Sequence, residues 1–140
     1  MGMREIKYRG KRVDNGEWVY SYYWTNDLDN HFIRVIQEND EYVIKDYEVI
    51  PETVGRFAGF KDKNGKEIYE WDILKRYHIA LIKEDTRNDE VDEINVIYFD
   101  DDELVMKLGD DELGVYKDWR FKLEVIGNIH DNKELLKVKE

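Results

Sequence analysis

Residues 57–73 read FAGFKDKNGKEIYEWDI, and this stretch decides the fold class. Its centre is Asn64-Gly65, and an Asn-Gly pair between two strand-like segments is the strongest short-range signal for a β-hairpin. We predict strands at 54–60 and 67–70 on either side of a turn at 62–66. Because both central residues of a type I′ turn have positive φ, we expect positive φ at Asn64 and at Gly65.

The same alternation of β-branched or aromatic residues with polar ones continues in both directions from this hairpin. On the N-terminal side it predicts strands at 5–9, 17–25, 32–37 and 42–50, with turns at 14–16 and 38–41. On the C-terminal side it predicts strands at 73–83, 94–99, 104–108 and 121–129, although a helix is an alternative for 73–83. A hairpin turn is expected at 100–103 and one helical turn at 131–136. The acidic run 84–93 is expected to be a solvated loop.

The composition excludes several classes of protein. Lys and Arg number 22 against 33 Asp and Glu, so the net charge is −11, and a polyanion is repelled by phosphates. Direct nucleic-acid binding is therefore not expected. The chain contains no cysteine, which fits a reducing cytoplasm. No apolar run is long enough for a membrane span or a leader peptide, so we expect no membrane association.

Glu70 and Asp72 are the best candidates for chemistry. On one continuous strand, residues two apart face the same side, and two adjacent carboxylates suit a metal ion or acid–base catalysis. The favoured alternative is structural: Asp72 caps a tight turn between two strands. The alternative is favoured because no Lys or His accompanies the pair at the spacing of a hydrolase site.

The other candidate groups lack the spacing that their chemistry needs. The acidic runs 100–103 and 110–112 do not match a calcium loop, and His31, His78 and His130 have no zinc-type spacing. Ser21 is the only serine, and no Gly-x-Ser-x-Gly motif surrounds it. We therefore predict no catalytic residue, no metal site and no cofactor.

A row of aromatic residues occupies one face of the strand predicted at 17–25, namely Trp18, Tyr20, Tyr22 and Trp24. The favoured interpretation of this row is the core face of a small sheet, and the alternative is a surface for a protein ligand. Val19 and Tyr23 make the opposite face bulky as well. A small monomer has limited area to cover both faces, so we expect part of the aromatic surface to lie in a subunit contact of a homo-oligomer.

Residues 57–73 closely resemble the signature of the YopX family of phage and prophage proteins, which typically reads TGLKDKNGKEIYEGDIV. Further resemblance lies at 4–12, 15–20, 49–55 and 125–130. Trp71 stands where the family has glycine, so either the turn differs or the indole makes a contact of its own. The resemblance implies no activity. The signature residues expected to form a structural turn, with a binding role open, are Asp62, Asn64, Gly65, Ile68, Tyr69, Glu70, Trp71 and Asp72.

With this resemblance, the expected fold is mainly β with at most short helical turns. An N-terminal antiparallel sheet (1–58) is predicted to pack on a small SH3-like β-barrel (59–140). We expect the two parts to share one core, because no stretch rich in Gly, Pro or Ser separates them.

Three functions remain as hypotheses. The leading one is a non-enzymatic interaction module of phage or prophage origin, which acts in the host cytoplasm and binds a host or phage protein or itself. The alternative is an acidic decoy that resembles DNA and occupies a host nucleic-acid-binding protein. The third is a metal-dependent enzyme that uses Glu70 and Asp72. One contiguous acidic face would favour the decoy, whereas acidic residues spread over separate turns would favour the module.

Overall fold

The structure, a computed structural model, describes residues 7–38, 42–77, 90–108, 111–114 and 123–136. Within these ranges the chain forms eleven β-strands and two short 3₁₀ helices, Pro51–Thr53 and Lys133–Leu136. It divides into two compact units, Met1–Gly59 and Phe60–Glu140. The mainly β class expected from the sequence is confirmed. One core shared by both units stays a prediction.

The first unit is an antiparallel sheet with the strand order β4-β3-β2-β1-β5. Its strands are β1 (Tyr8–Lys11), β2 (Trp18–Thr25), β3 (His31–Glu38), β4 (Tyr42–Val49) and β5 (Gly55–Lys61). The first four are consecutive neighbours, which is the arrangement that short polar turns between alternating segments favour. The register places Tyr22 opposite Arg34 and Arg34 opposite Asp46, so the three side chains share one face.

The first sheet is strongly coiled, because the end of β4 returns to the segment that follows β1. Arg12 forms an isolated bridge with Val49. The amide of Val13 donates to the carbonyl of Glu48 at 2.9 Å, and the amide of Ile50 donates to the carbonyl of Lys11 at 2.8 Å. This coiling encloses the buried side chains of Ile33 and Val49 on the concave face.

The second unit contains a five-stranded antiparallel sheet with the strand order β10-β9-β8-β7-β11. Its strands are β7 (Asp72–Tyr77), β8 (Glu90–Asp100), β9 (Glu103–Leu108), β10 (Asp111–Gly114) and β11 (Leu123–Asn128). The short β6 (Glu67–Tyr69) pairs with β5, which enters this unit at Phe60. Apolar side chains with no exposed surface form the core of the sheet, namely Ile73, Leu74, Ile97, Met106 and Leu123.

The predicted SH3-like barrel is not confirmed. Within the residues described, β10 and β11 are the two edges of the second sheet, and no pairing between them closes it.

Several predicted boundaries are corrected. The expected loop at 84–93 is wrong at its end, because 90–93 belong to β8: Arg76 of β7 pairs with Glu93, and Tyr77 with Glu90. Backbone pairing to an existing strand overrides the acidic composition there. β1 ends two residues later than predicted, and β10 was not predicted. Parts of three predicted strands lie outside the described residues, at 5–6, 78–83 and 121–122.

The predicted hairpin at 62–66 is present, but the type I′ turn is wrong. Gly65 has φ 83°, whereas Asn64 is not among the described residues with positive φ. The amide of Gly65 donates to the carbonyl of Asp62 at 3.0 Å, and the amide of Asp62 donates to the carbonyl of Lys66 at 2.8 Å. These bonds define a three-residue loop, in which a type I turn is followed by one left-handed residue.

Gly65→Val is expected to lower the free energy of unfolding by about 1 to 3 kcal/mol, the cost of a side chain at a sparsely populated φ. A Cβ on Gly65 would meet nothing within 4 Å, so this cost comes from the backbone alone. Thermal denaturation measures it, with the exposed neighbour Lys63→Val as the control, for which a change within about 0.5 kcal/mol is expected. An unchanged melting temperature in Gly65→Val would contradict the left-handed turn.

Candidate functional site

Asp62 is the structural centre of the signature segment. Its side chain is buried, with a relative exposure of 6%. Oδ1 accepts hydrogen bonds from the amides of Asn64 and Lys66, both at 2.9 Å. Oδ2 accepts one from the amide of Val125 in β11, also at 2.9 Å. One carboxylate therefore fixes the turn and ties it to a strand 63 residues further along the chain.

Glu70 and Asp72 do not form the pair that a continuous strand would give. β6 ends at Tyr69 and β7 begins at Asp72, so the two carboxylates flank a turn. Oδ2 of the buried Asp72 accepts the amide of Tyr69 at 2.8 Å, as the turn-cap interpretation predicted. Oε2 of Glu70 accepts the amide of Phe99 at 3.3 Å. The described residues contain no group of three or more His, Cys, Asp or Glu that could hold a metal ion.

Trp71 adopts the turn conformation expected of the family's glycine, and its indole also makes a contact. Its φ is 74°, a value that favours glycine. Its amide donates to the carbonyl of Ile97 at 2.7 Å, and its carbonyl accepts the amide of Ile129 at 3.0 Å. The indole stacks on Tyr98, with the ring centroids 5.7 Å apart and the planes inclined by 6°. This stacking and the two backbone bonds offset the strain of the backbone.

The remaining signature residues are structural. Ile68 and Tyr69 of β6 are almost completely buried. The side-chain amide of Asn64 donates to Glu124 Oε2 at 3.0 Å. The signature residues from Asp62 to Asp72 therefore make their described contacts within the second unit.

The aromatic row of β2 lies on the more exposed face of its strand. Tyr20 and Tyr22 retain 47% and 57% of their surface, and Trp18 and Trp24 are half-buried. The interpretation of the row as a core face is thus wrong for the two tyrosines. The core of this sheet comes instead from the concave face, where Ile33 is buried.

The register adds residues of β3 and β4 to this row. Phe32 lies opposite Trp24 and Glu48, and Ile36 lies opposite Ile44, which is 50% exposed. We name the aromatic face as the described side chains of β1 to β4 on this side of the first sheet: Arg9, Lys11, Trp18, Tyr20, Tyr22, Trp24, Phe32, Arg34, Ile36, Ile44, Asp46 and Glu48. Sequence reasoning missed the members outside β2, because only the register of the neighbouring strands places them there.

Beside the exposed tyrosines, the aromatic face is held rigidly. Nε and Nη2 of Arg34 donate to the two carboxylate oxygens of Asp46 at 2.8 and 3.1 Å. The Trp24 indole N–H donates to Asp46 at 3.1 Å, its ring stacks on Phe32 at 4.6 Å, and the Arg34 guanidinium lies 5.2 Å from it. The bonds from Arg34 lower the pKa of the Asp46 carboxyl, which keeps the ion pair charged. Tyr22 thus projects beside a rigid cluster that is formed by Trp24, Phe32, Arg34 and Asp46.

Cationic side chains lie beside the aromatic rings of the aromatic face. The guanidinium of Arg9 and the ammonium of Lys11 lie 4.7 and 5.8 Å from the centroid of Trp18. With Arg34 the face carries three cationic side chains against two carboxylates, but Arg9 is buried and Arg34 is paired with Asp46. The charges of the face therefore nearly balance, whereas the whole chain has a net charge of −11.

The loop that joins β2 to β3, residues 26–30, is ordered by one asparagine. Oδ1 of Asn26 accepts the amides of Leu28 and Asn30 at 3.0 and 2.9 Å, and the amide of Asp29 donates to the carbonyl of Asn26. The side chain of Asn30 donates to Glu48 at 3.0 Å. At the tip, Leu28 is 83% exposed between two exposed carboxylates. The sequence alone predicts no structure for this loop.

The base of this loop is closed by contacts on the concave side. The hydroxyl of Tyr23 hydrogen-bonds to Nδ1 of His31, and the Tyr23 ring lies 5.3 Å from that of Tyr8. Partial burial raises the pKa of the Tyr23 hydroxyl, and the nearby charge of Asp29 adds to the shift. The hydroxyl therefore stays protonated and can hold the strands together where the loop begins.

Exposed acidic residues of the first unit are spread over separate turns. Asp14 and Glu17 follow β1, whereas Asp27 and Asp29 follow β2. The coiling of the sheet brings both turns to Glu48, whose carbonyl accepts the amide of Val13 and whose carboxylate accepts the side-chain amide of Asn30.

Comparisons with known proteins identify a family and a fold. A family model described as YopX protein matches residues 7–137. No curated protein matches the chain. The crystal structure of protein EF1440 from Enterococcus faecalis is similar over 96% of this chain and 100% of that chain, with a TM-score of 0.62 and 23% identity. This similarity shows the fold alone. No described helix has the length and apolar character needed to cross a membrane.

Proposed function

The chain belongs to the YopX protein family, and from that premise we propose that it is a non-enzymatic interaction module that binds a second copy of itself through the aromatic face. The proposal includes the phage or prophage origin that the resemblance implies and action in the host cytoplasm. It also includes an SH3-like character of the second unit.

The observation that carries the proposal is the exposure of Tyr20 and Tyr22 on the central strand β2 of the first sheet, with the exposed Ile44 on the same face of the edge strand β4. Large side chains at such positions are usually covered by a second layer, and tyrosine is enriched where that layer is another protein. The fixed ion pair between Arg34 and Asp46 keeps the neighbouring surface in one arrangement, so little side-chain entropy is lost on binding.

Net charge opposes self-association but does not prevent it. Two chains of charge −11 repel each other, yet the Debye length is about 8 Å at physiological ionic strength. Charges far from the contact are therefore screened, and burial of the aromatic face can outweigh the remaining repulsion. We expect association to weaken as salt is removed.

The other hypotheses receive less support. The exposed acidic residues of the first unit belong to separate turns, which gives a DNA-like decoy little support. Glu70 and Asp72 each accept a backbone amide, which supports a structural role rather than a metal-dependent one. If the chain does not bind itself, the aromatic face is expected to bind a host or phage protein instead.

Replacing Tyr22 by serine is expected to weaken self-association about tenfold or more, because truncating an aromatic anchor in an interface costs more than 1 kcal/mol. Fold stability should change little, since 57% of the tyrosine is already exposed. Sedimentation velocity over a concentration series measures the dissociation constant. Val13→Ser is the matched control, because Val13 is 54% exposed but lies outside the aromatic face. Equal dissociation constants for the two variants would contradict the proposal.

A further inference from the structure

We propose that the aromatic face is covered by the β2–β3 loop (residues 26–30) of a second copy, with Leu28 as the apolar anchor. The inference rests on the proposed self-association and specifies how it occurs. Asp27 and Asp29 of the docking loop then lie against the cationic side chains of the aromatic face.

Hydrogen bonds already order the loop before it docks. Asn26 holds two amides of the loop through one side-chain oxygen, and the backbone of Asn26 donates to the carbonyl of Asn30 at 3.1 Å. An ordered loop loses little conformational entropy when it docks. Leu28 nevertheless exposes 83% of its surface to water, more than any other large hydrophobic side chain of the described residues. A fixed apolar tip of this kind suits insertion into a partner.

The surface that such a tip needs is present on the same chain. The tip combines one apolar side chain with two carboxylates, and it requires an apolar surface with cations at its border. The aromatic face offers Tyr20, Tyr22 and Ile44 as the apolar part. The cations at its border are the half-buried Lys11 and Arg34, whose 41% exposed side chain is already paired with Asp46. The loop tip and the face are therefore complementary in polarity.

A loop cannot cover the aromatic face of its own chain. It leaves β2 directly after Trp24 and Thr25 and returns into β3 at His31, where Thr25 and His31 are paired. Folding back over Tyr20 would break this pairing and the stacking of Trp24 on Phe32. The occupant must come from another molecule.

The contact is heterologous, because loop and face are different surfaces of one protein. Each copy donates one loop and accepts another, so copies add head to tail into rings or open chains. A single loop buries less area than a standard protein interface, which predicts weak association that depends on concentration.

Complementation between two variants tests the inference. Leu28→Ser removes the anchor and keeps the face, while Tyr22→Ser impairs the face and keeps the loop. Each variant alone should self-associate at least about tenfold more weakly than the wild type. In an equimolar mixture, the loop of the Tyr22→Ser chain can still dock on the face of the Leu28→Ser chain. Sedimentation velocity with one variant fluorescently labelled should show a heterodimer and no larger species.

The outcomes separate the inference from the proposed function. If Leu28→Ser associates as the wild type does, or if the mixture forms no heterodimer, the inference is overturned while self-association through the aromatic face stands. If the wild type is monomeric, both are overturned. Val13→Ser, which leaves loop and face intact, should behave as the wild type. Both test residues are largely exposed, and a thermal melt of each variant confirms that the comparison is between folded chains.

Discussion

Replacing Asp62 by alanine is expected to lower the free energy of unfolding by about 3 to 5 kcal/mol. The carboxylate accepts the amides of Asn64, Lys66 and Val125. Bonds to a charged acceptor are among the stronger ones, and burial of the site limits how well water can replace them. The substitution also releases β11 from the hairpin turn, so the loss extends beyond the turn itself.

Urea denaturation followed by tryptophan fluorescence measures this effect. Asp62→Asn keeps one acceptor oxygen and should fall between Asp62→Ala and the wild type. The exposed neighbour Lys61→Ala should change the stability by no more than about 0.5 kcal/mol. A loss below about 1 kcal/mol in Asp62→Ala would show that this carboxylate does not organise the signature segment.

Gly10→Val is expected to destabilise the protein by about 3 kcal/mol, because β1 passes directly against Val49. A Cβ on Gly10 would lie 2.9 Å from Cβ of Val49 and 3.0 Å from each of its methyl carbons. Gly10 is not among the glycines with positive φ, so this cost is steric.

A graded series distinguishes steric cost from backbone strain. At Gly10, alanine should cost less than valine, because the overlap with Val49 grows with the side chain. At Gly65, where the added Cβ meets open space, alanine and valine should cost nearly the same. Equal costs for alanine and valine at Gly10 would contradict the close approach of β1 to Val49.

Local signals were enough to predict most of the described strands and the position of the central hairpin. The alternation of aromatic and polar residues gave β2 within one residue, and Asn64-Gly65 placed the turn correctly. The type of turn was not predictable from the Asn-Gly pair. It depends on whether two or three residues form the loop, and that follows from the pairing of the flanking strands.

Features that depend on tertiary pairing were missed or predicted wrongly. The acidic residues 90–93 form a strand because β7 lies beside them, which composition does not reveal. Tyr20 and Tyr22 were expected in the core, since β2 is bulky on both faces and only the coiling of the sheet distinguishes the concave side. The bond from Val125 to Asp62 joins residues that are far apart in sequence. The ion pair between Arg34 and Asp46 likewise required the register of β3 and β4.

Self-association of the wild-type chain is the central claim, and light scattering of untagged protein across a dilution series tests it most directly. The account predicts an average mass that exceeds the 17.0 kDa of one chain, rises with concentration and falls as salt is removed. A mass of 17.0 kDa at every concentration and every salt level would contradict it.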